Sequence, residues 1–428
     1  MRIGAAFLAF WCGGLAAQTV EVINGSGDGR YRAGDTVHVW ADPEADGKIF
    51  DRWSGDTATV ADVRSPHTTL RVTNGEIQLT ATYRDMGPFT PRRETVAGVN
   101  VVSVFSARPA AVIFRFHPDG ADGASQVFPA ESAIFDRQAV ARDFGVVALD
   151  SADRAAKQWD TRNSLDNNDV KNVQAVVAEL IRRGTITAST PLFAMGISGG
   201  GAFASRVANL LKWRGVAMYI SSGIDAIVAD SDIPSIWGMQ QFDDNTGFGP
   251  AGNLQASANF NTLRNKSVAC HYYMNQPSPL YAERFWRIDG LSKEDSWAIF
   301  RAIQEGGYLD GQGFLKQNPA TSGVERAIPA EYRPQAAEIA AQRSELAAVR
   351  RDILALPEKQ RAALLLAVQA EKSTAEIGET LGISPGAAEQ LLVRARRMLR
   401  ERARERMQDG PVGARPAQDV DSGGADRR

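Results

Sequence analysis

The 428-residue sequence predicts an α/β protein that carries an all-β module at its N-terminus and an all-α helix-turn-helix at its C-terminus. Three observations carry that prediction. Residues 19–85 alternate apolar and polar side chains between Gly-rich turns, the period of half-buried strands. From about 95 to 340, strand-like apolar runs alternate with segments of helical period, as in a mainly parallel sheet covered by helices. Beyond about Ala340, short helical segments rich in arginine follow one another across a Gly-Ile-Ser turn.

Bulk properties set the limits. Hydrophobic content of 44% and charged content of 23% are those of a globular protein. A net charge of -2 excludes a nucleic-acid-type polycation for the whole chain and leaves that option to the Arg-rich end. Met1-Arg2, the apolar run Ile3–Trp11 and the small residues Leu15-Ala16-Ala17 read as a secretory signal over 1–17. That run is too short for a stable membrane span, so the expected location is secreted or periplasmic. Once the signal and Cys12 are removed, Cys270 stands alone and no intramolecular disulfide can form. No zinc-ligand spacing occurs, and neither a cofactor nor a metal is expected.

In chain order, Thr19–Val22, Thr36–Trp40 and Ile77–Tyr83 are the clearest strands of the first module, with Asn24–Gly29 a turn cluster. Gly25–Gly34 and the run Gly47-Lys48-Ile49-Phe50-Asp51-Arg52-Trp53-Ser54-Gly55-Asp56 resemble the divergent β-repeat modules of bacterial surface and secreted proteins, over 18–86. The resemblance implies a spacer or adhesion module in which Trp53 fills a small core. Residues 87–93 read as a linker. Ala110–Phe116 and Gly145–Asp150 are strands, and Asp169 caps a helix buried through Val170, Val173, Val177, Leu180 and Ile181.

The pivotal stretch is Gly196-Ile197-Ser198-Gly199-Gly200. It has the spacing G-x-S-x-G, follows the apolar run Pro191–Met195 and precedes a helical pattern over 201–211. Strand, glycine-flanked serine, helix is the context of a nucleophile elbow. Val216–Ser222 follows as the next strand. This succession resembles the α/β-hydrolase family, in its secreted depolymerase and esterase-like branch, over about 95–340.

The resemblance implies a serine nucleophile, then an acid, then a histidine. Ser198 is the expected nucleophile. Ile233–Asp244 leads to the acid, expected at Asp243 with Asp244 close behind, although Gln240 stands where the family usually has glycine. His117-Pro118-Asp119-Gly120 occupies the oxyanion-loop position, so backbone groups of Asp119, Gly120 and Gly199 are the expected oxyanion donors. His117 precedes Ser198 and is expected to shape the loop. His271 is then the base by position, since of His38, His67, His117 and His271 it alone follows Ser198. It lies inside a strand, Ser267–Tyr273, and Pro277-Ser278-Pro279 stands where the family often has its histidine. Either His271 is the base or the family histidine is missing.

The C-terminal stretch is of another kind. Leu-Pro-x-x-x-Arg at Leu356–Arg361, Glu-Ile-x-x-x-Leu-Gly-Ile-Ser at Glu376–Ser384 and Arg-Ala-Arg-x-x-Leu-Arg at Arg394–Arg400 resemble region 4 of extracytoplasmic-function sigma factors, over 345–406. The resemblance implies a helix-turn-helix that meets promoter DNA, with RNA polymerase as a further partner. Its recognition helix would start at Ser384, with Glu389 and Gln390 toward base edges and Arg394, Arg396, Arg397 and Arg400 toward phosphates. Residues 407–428 read as a disordered tail. The leading expectation is an exported serine hydrolase acting on carboxylic esters of the polyester or plant-wall class. The alternatives are a DNA-binding transcription module fused to an inactive hydrolase domain, and an adhesive surface protein with a dead hydrolase fold.

Overall fold

The computed structural model describes residues 17–44, 47–86, 89–243, 249–288, 290–332, 356–369 and 373–408. The signal expected over 1–17 and the tail expected over 407–428 lie outside these residues, apart from Ala17 and the last helical turn. So does Asp244. The chain divides into two compact units, 1–346 and 347–428.

The first unit opens with seven strands: β1 (Gln18–Ile23), β2 (Gly25–Ser26), β3 (Gly29–Tyr31), β4 (Thr36–Ala41), β5 (Lys48–Gly55), β6 (His67–Arg71) and β7 (Ile77–Asp85). They form a four-stranded sheet, β3-β1-β7-β5, facing a three-stranded one, β2-β4-β6. Alternation works as the sequence demands. Val20, Val22, Val37, Val39, Leu70, Leu79 and Ala81 point inward around Phe50 and Trp53. Trp53 is 1% exposed, and its ring N–H donates to the Ser65 carbonyl, so the indole is core and not a surface platform.

The central sheet has eight strands: β8 (Arg92–Val96), β9 (Val99–Val104), β10 (Ala111–Phe116), β11 (Phe144–Leu149), β12 (Leu192–Ile197), β13 (Gly215–Tyr219), β14 (Ser235–Gln240) and β15 (Cys270–Asn275). β8 starts inside the stretch read as a linker. It pairs with β9 across a tight turn at Ala97-Gly98, both with positive φ. The spatial order is β15-β14-β13-β12-β10-β11-β9-β8. β10 to β15 run parallel and β9 antiparallel to β11. From β10 the chain steps to β11 on one side and then to β12 on the other. The crevice where the order reverses, at the carboxyl ends of β10 and β12, is where such sheets bind ligands.

The helices relevant to the site are α1 (Ala130–Val140), α2 (Asn168–Arg182), α3 (Gly199–Leu210), α4 (Asp225–Asp230), α5 (Gly249–Asn265) and α6 (Lys293–Glu305). The N-cap of α2 is Asn167 and not the expected Asp169. The Asn167 side chain accepts from the Asp169 and Val170 amides, while the Asp169 carboxylate reaches back to the Ala152 and Asp160 amides. The buried face of α2 runs through Val170, Val173, Val176 and Leu180, with Ile181 37% exposed. The helical stripe is real but rotated by one residue from the one expected. Under α1, Arg115 of β10 and Asp136 form a buried ion pair at 2.6 Å.

The second unit contains the helices Glu358–Gln369, Thr374–Leu381 and Pro385–Gln408 around a core of Leu356, Leu364, Ile377, Ala388, Leu392 and Ala395. A capping box between Ser373 and Glu376 starts the middle helix, and Gly382 ends it in the left-handed region at φ 65°.

Candidate active site

Everything at the centre of the site follows from how tightly α3 is pulled onto the sheet. Ser198 closes β12 and caps α3 with φ 54° and ψ -123°, a conformation that costs a non-glycine residue about 1–3 kcal/mol. Its amide donates to the Tyr219 carbonyl of β13 at 2.9 Å, fixing the turn to the neighbouring strand. The flanking glycines are required by space. A Cβ on Gly196 would lie 2.6 Å from the Gly201 amide nitrogen, and one on Gly200 2.7 Å from the Phe116 carbonyl carbon. The first turn of α3 therefore rests on the backbone at the end of β10, and the elbow points Ser198 over the crevice.

The loop after β10 is held as firmly. His117 is fully buried, with Nδ1 2.9 Å from the Pro118 carbonyl and Nε2 3.1 Å from the Ser151 amide. Nε2 must accept from that amide, so Nδ1 carries the proton and donates to Pro118. Burial holds this imidazole down to about 4. It is a neutral strut with both nitrogens occupied. The Trp159 ring N–H donates to the His117 carbonyl, and Trp159 stacks on Phe203 of α3 at 4.5 Å, tying loop and helix together.

Of the three expected oxyanion donors, two remain available. The amides of Gly199 and Asp119 have no acceptor among the described residues. Gly120 is different. Its N–H donates to the Lys157 carbonyl at 3.0 Å, so the assignment of Gly120 as a donor is corrected: the amide is consumed within the loop. Asp119 also brings its side chain. A Cβ on Gly199 would fall inside that carboxyl group, 2.7 Å from its carbon. Desolvation pushes the Asp119 carboxyl up to about 6.

Asp243 stands three residues beyond β14, half-buried, in an open cleft of about 280 Å³ with Ile220, Gln240, Phe242, Asn275 and Pro277. This is the strand end two places from the elbow, where the sequence expected the acid. His271 is elsewhere. Met195, Ala217, Ile236 and His271 lie side by side on four adjacent strands. At about 4.8 Å per strand and 3.3 Å per residue, His271 is about 14 Å across the sheet from β12 and about 10 Å below the level of Ser198. Its ring is exposed and rests on Tyr273 at 4.0 Å. The expectation that His271 serves Ser198 as base is therefore corrected: the register holds it away. His38 and His67 stack on Trp40 in the β module, which leaves the imidazole position empty.

In the second unit, Ser384 caps the long helix, its hydroxyl accepting from the Ala387 amide at 3.2 Å. Glu389, Gln390, Arg394, Arg397 and Arg400 are exposed and Arg396 is half-buried. Arg397 pairs with Glu401 at 3.8 Å. A Cβ on Gly378 would meet the Ile383 carbonyl at 2.7 Å, so glycine is what lets the two helices cross closely.

An eight-stranded sheet with one antiparallel strand, a strand-serine-helix elbow at the fifth position and a glycine-containing loop packed under it after the third define an α/β-hydrolase fold, preceded by an all-β module and followed by a helix-turn-helix. Comparison with protein families assigns the flanks. Residues 16–87 match the divergent InlB B-repeat domain, and residues 346–399 match Sigma-70, region 4. Comparison with curated proteins gives no match. Among solved structures, the chain is similar to TT1662 from Thermus thermophilus, at 15% identity over 49% of this chain and 98% of that one, with a TM-score of 0.31. It is similar to an acetyl xylan esterase from Aspergillus awamori, at 16% identity over 32% and 54%, with a TM-score of 0.27. It is also similar to an acylaminoacyl peptidase from Pyrococcus horikoshii, at 10% identity over 71% and 57%, with a TM-score of 0.34. The chain thus spans little more than half the length of the last two.

Proposed function

We propose that the first unit is a serine hydrolase that cleaves carboxylic esters by acyl transfer to Ser198, with polyester or plant-wall esters as its substrate class. The observation that carries this reading is the strained Ser198 turn, held by backbone contacts at Gly196 and Gly200 beside two unused amides. Strain of this kind persists only where the surroundings enforce it, and it supports reading the Ser198 oxygen as the nucleophile and the Gly199 and Asp119 amides as oxyanion donors. Asp243 is the acid of the strand-end arrangement. With the imidazole position empty, Ser198 has no general base, so acyl transfer is expected to be slower by orders of magnitude than with a complete triad. Export of the chain is part of the same proposal and rests on the sequence of residues 1–17.

A fluorophosphonate probe followed by mass spectrometry tests the reading. A label on Ser198, and hydrolysis of p-nitrophenyl acetate that Ser198→Ala abolishes, are the expected results. Equal hydrolysis by wild type and Ser198→Ala, with no label, would falsify it.

A second reading applies to residues 347–428. The match to Sigma-70 region 4 and the exposed Ser384, Glu389, Gln390, Arg394, Arg397 and Arg400 support DNA binding, with Glu389 and Gln390 toward bases and the arginines toward phosphates, and RNA polymerase as a further partner. Gel shifts of the full chain on promoter fragments at two salt concentrations check it. The expected outcome is a band that weakens with salt, and weakens further when Arg394 and Arg397 become alanine.

A further inference from the structure

We propose that the Asp119 side chain is a catalytic residue of the Ser198 site, acting as a neutral carboxylic acid that donates a hydrogen bond to the substrate carbonyl oxygen. This deepens the hydrolase reading and rests on it. Three observations carry it. The carboxyl stands directly over Gly199, the residue whose amide faces the developing oxyanion, and so shares that amide's ligand. It makes no hydrogen bond to Ser198 or to any other described residue, which leaves its proton for a ligand. The residue is also half-buried, and a bare carboxylate here would oppose chemistry at Ser198. A negative charge about 4 Å from an oxyanion costs on the order of 4 kcal/mol at an effective dielectric of 20.

The surroundings favour the neutral form. In its own loop His117 is uncharged, and Asp122 is paired with Lys157 at 3.4 Å. In the segment facing the loop, Arg154 is paired with Asp150, so neither nearby cation is directed at Asp119. The first turn of α3, Gly199–Ala202, carries no titratable side chain, and Arg206 further along donates to the Asp160 carbonyl. Tyr219 and Asp243 are the next titratable groups along the strand ends. Desolvation alone holds the Asp119 carboxyl near 6.

The reaction balances without a change at Asp119. The Ser198 oxygen bonds to the carbonyl carbon, the bond from that carbon to the leaving oxygen breaks, and the serine proton passes through water to the leaving alkoxide. Water then cleaves the acyl-serine to the free acid and restores the hydroxyl. Asp119 keeps its proton throughout and stabilises the oxyanion in both steps.

The test is kcat/KM for p-nitrophenyl acetate, measured on the full chain from pH 4.5 to 8.5, for wild type, Asp119→Ala and Asp119→Asn, with melting curves to verify folding. Loss of a donor predicts that Asp119→Ala is about 100-fold slower at pH 5. Asp119→Asn keeps an N–H donor, so it stays within about tenfold at pH 5. Above pH 6 the ratio of wild type to Asp119→Asn falls about tenfold per pH unit, because only the wild-type donor is lost by ionisation. Asp119→Asn as slow as Asp119→Ala at every pH would make the carboxylate a proton acceptor and overturn the proposal. A ratio that is flat with pH, with Ser198 labelled by the fluorophosphonate, removes this inference alone. Absence of labelling and of Ser198-dependent turnover removes the hydrolase reading and this inference together.

Discussion

The β12 side of the sheet, with its serine turn, and the side at β14 and β15 are held by different kinds of contact. At β12 the serine turn is fixed by backbone against backbone: Gly200 on Phe116, Gly196 on the first turn of α3, the Ser198 amide on Tyr219. At β14 and β15 the contacts thin out. β15 is an edge strand, and Ile236 and Tyr273 are 41% and 53% exposed on the same face of the sheet. The chain after β15 turns away to pack α6 in a cluster of its own with Leu291, Ile299, Ile303 and Leu309. A geometry made by backbone survives changes of side chain. A geometry that depends on single side chains at the ends of β14 and β15 is lost with one residue.

The comparison breaks most readily at Gly200. An added methyl there has only main-chain carbonyls to push against, so Gly200→Ala is expected to cost about 3 kcal/mol, the upper end of overpacking. The midpoint of a urea titration reports it, and a loss under about 0.5 kcal/mol would mean that the α3–β10 contact can yield. The next effect belongs to His117. Its folded value near 4 lies below the ordinary 6.5, so the unfolded chain binds the proton first. The stability that neutral His117 contributes is whole above pH 6.5 and is lost as pH falls toward 4. By pH 5 the loss reaches about 2 kcal/mol. His117→Gln should flatten this acid limb relative to wild type, and parallel curves would show that the imidazole does not titrate there.

Ser198 gives a smaller effect of opposite sign. Glycine tolerates φ 54° and ψ -123°, so Ser198→Gly relieves strain of about 1–3 kcal/mol and gives back part of it in chain entropy. A gain of about 1 kcal/mol is expected in thermal melts. Ser198→Ala keeps a Cβ and should gain nothing. Equal stability of the two variants would place the strain elsewhere.

What the sequence made legible follows the same division. The apolar runs of β10 to β14 and the stripe of α2 are visible because burial on both sheet faces demands them. β8 was hidden because it is an edge strand, written Arg92-Arg93-Glu94 and largely exposed, so it resembles a linker. Asn167 and Asp169 are both good caps, and only the fold decides which one turns toward the helix. The loop after β10 could be located from the glycines, but the fate of its amides could not. Gly120 is satisfied by Lys157, whose carbonyl arrives from a segment 37 residues later. The Asp119 carboxyl meets Gly199 across two elements.

His271 carries the smallest predicted effect, and it separates the two halves most cleanly. Sequence order made it the base by elimination, whereas register puts it about 14 Å across the sheet and three residues down the strand from Ser198. Its ring is exposed against Tyr273 and lines none of the cleft that Asp243 shares with Gln240 and Asn275. His271→Ala should therefore change stability by under about 0.5 kcal/mol, as surface substitutions do. It should leave both the rate of Ser198 labelling and the hydrolysis of p-nitrophenyl acetate at wild-type values across pH 5–8. A triad base replaced by alanine costs orders of magnitude. A fall of that size in His271→Ala, with unchanged melting, would mean that β15 moves on substrate binding and that the acid-base half is assembled by the ligand.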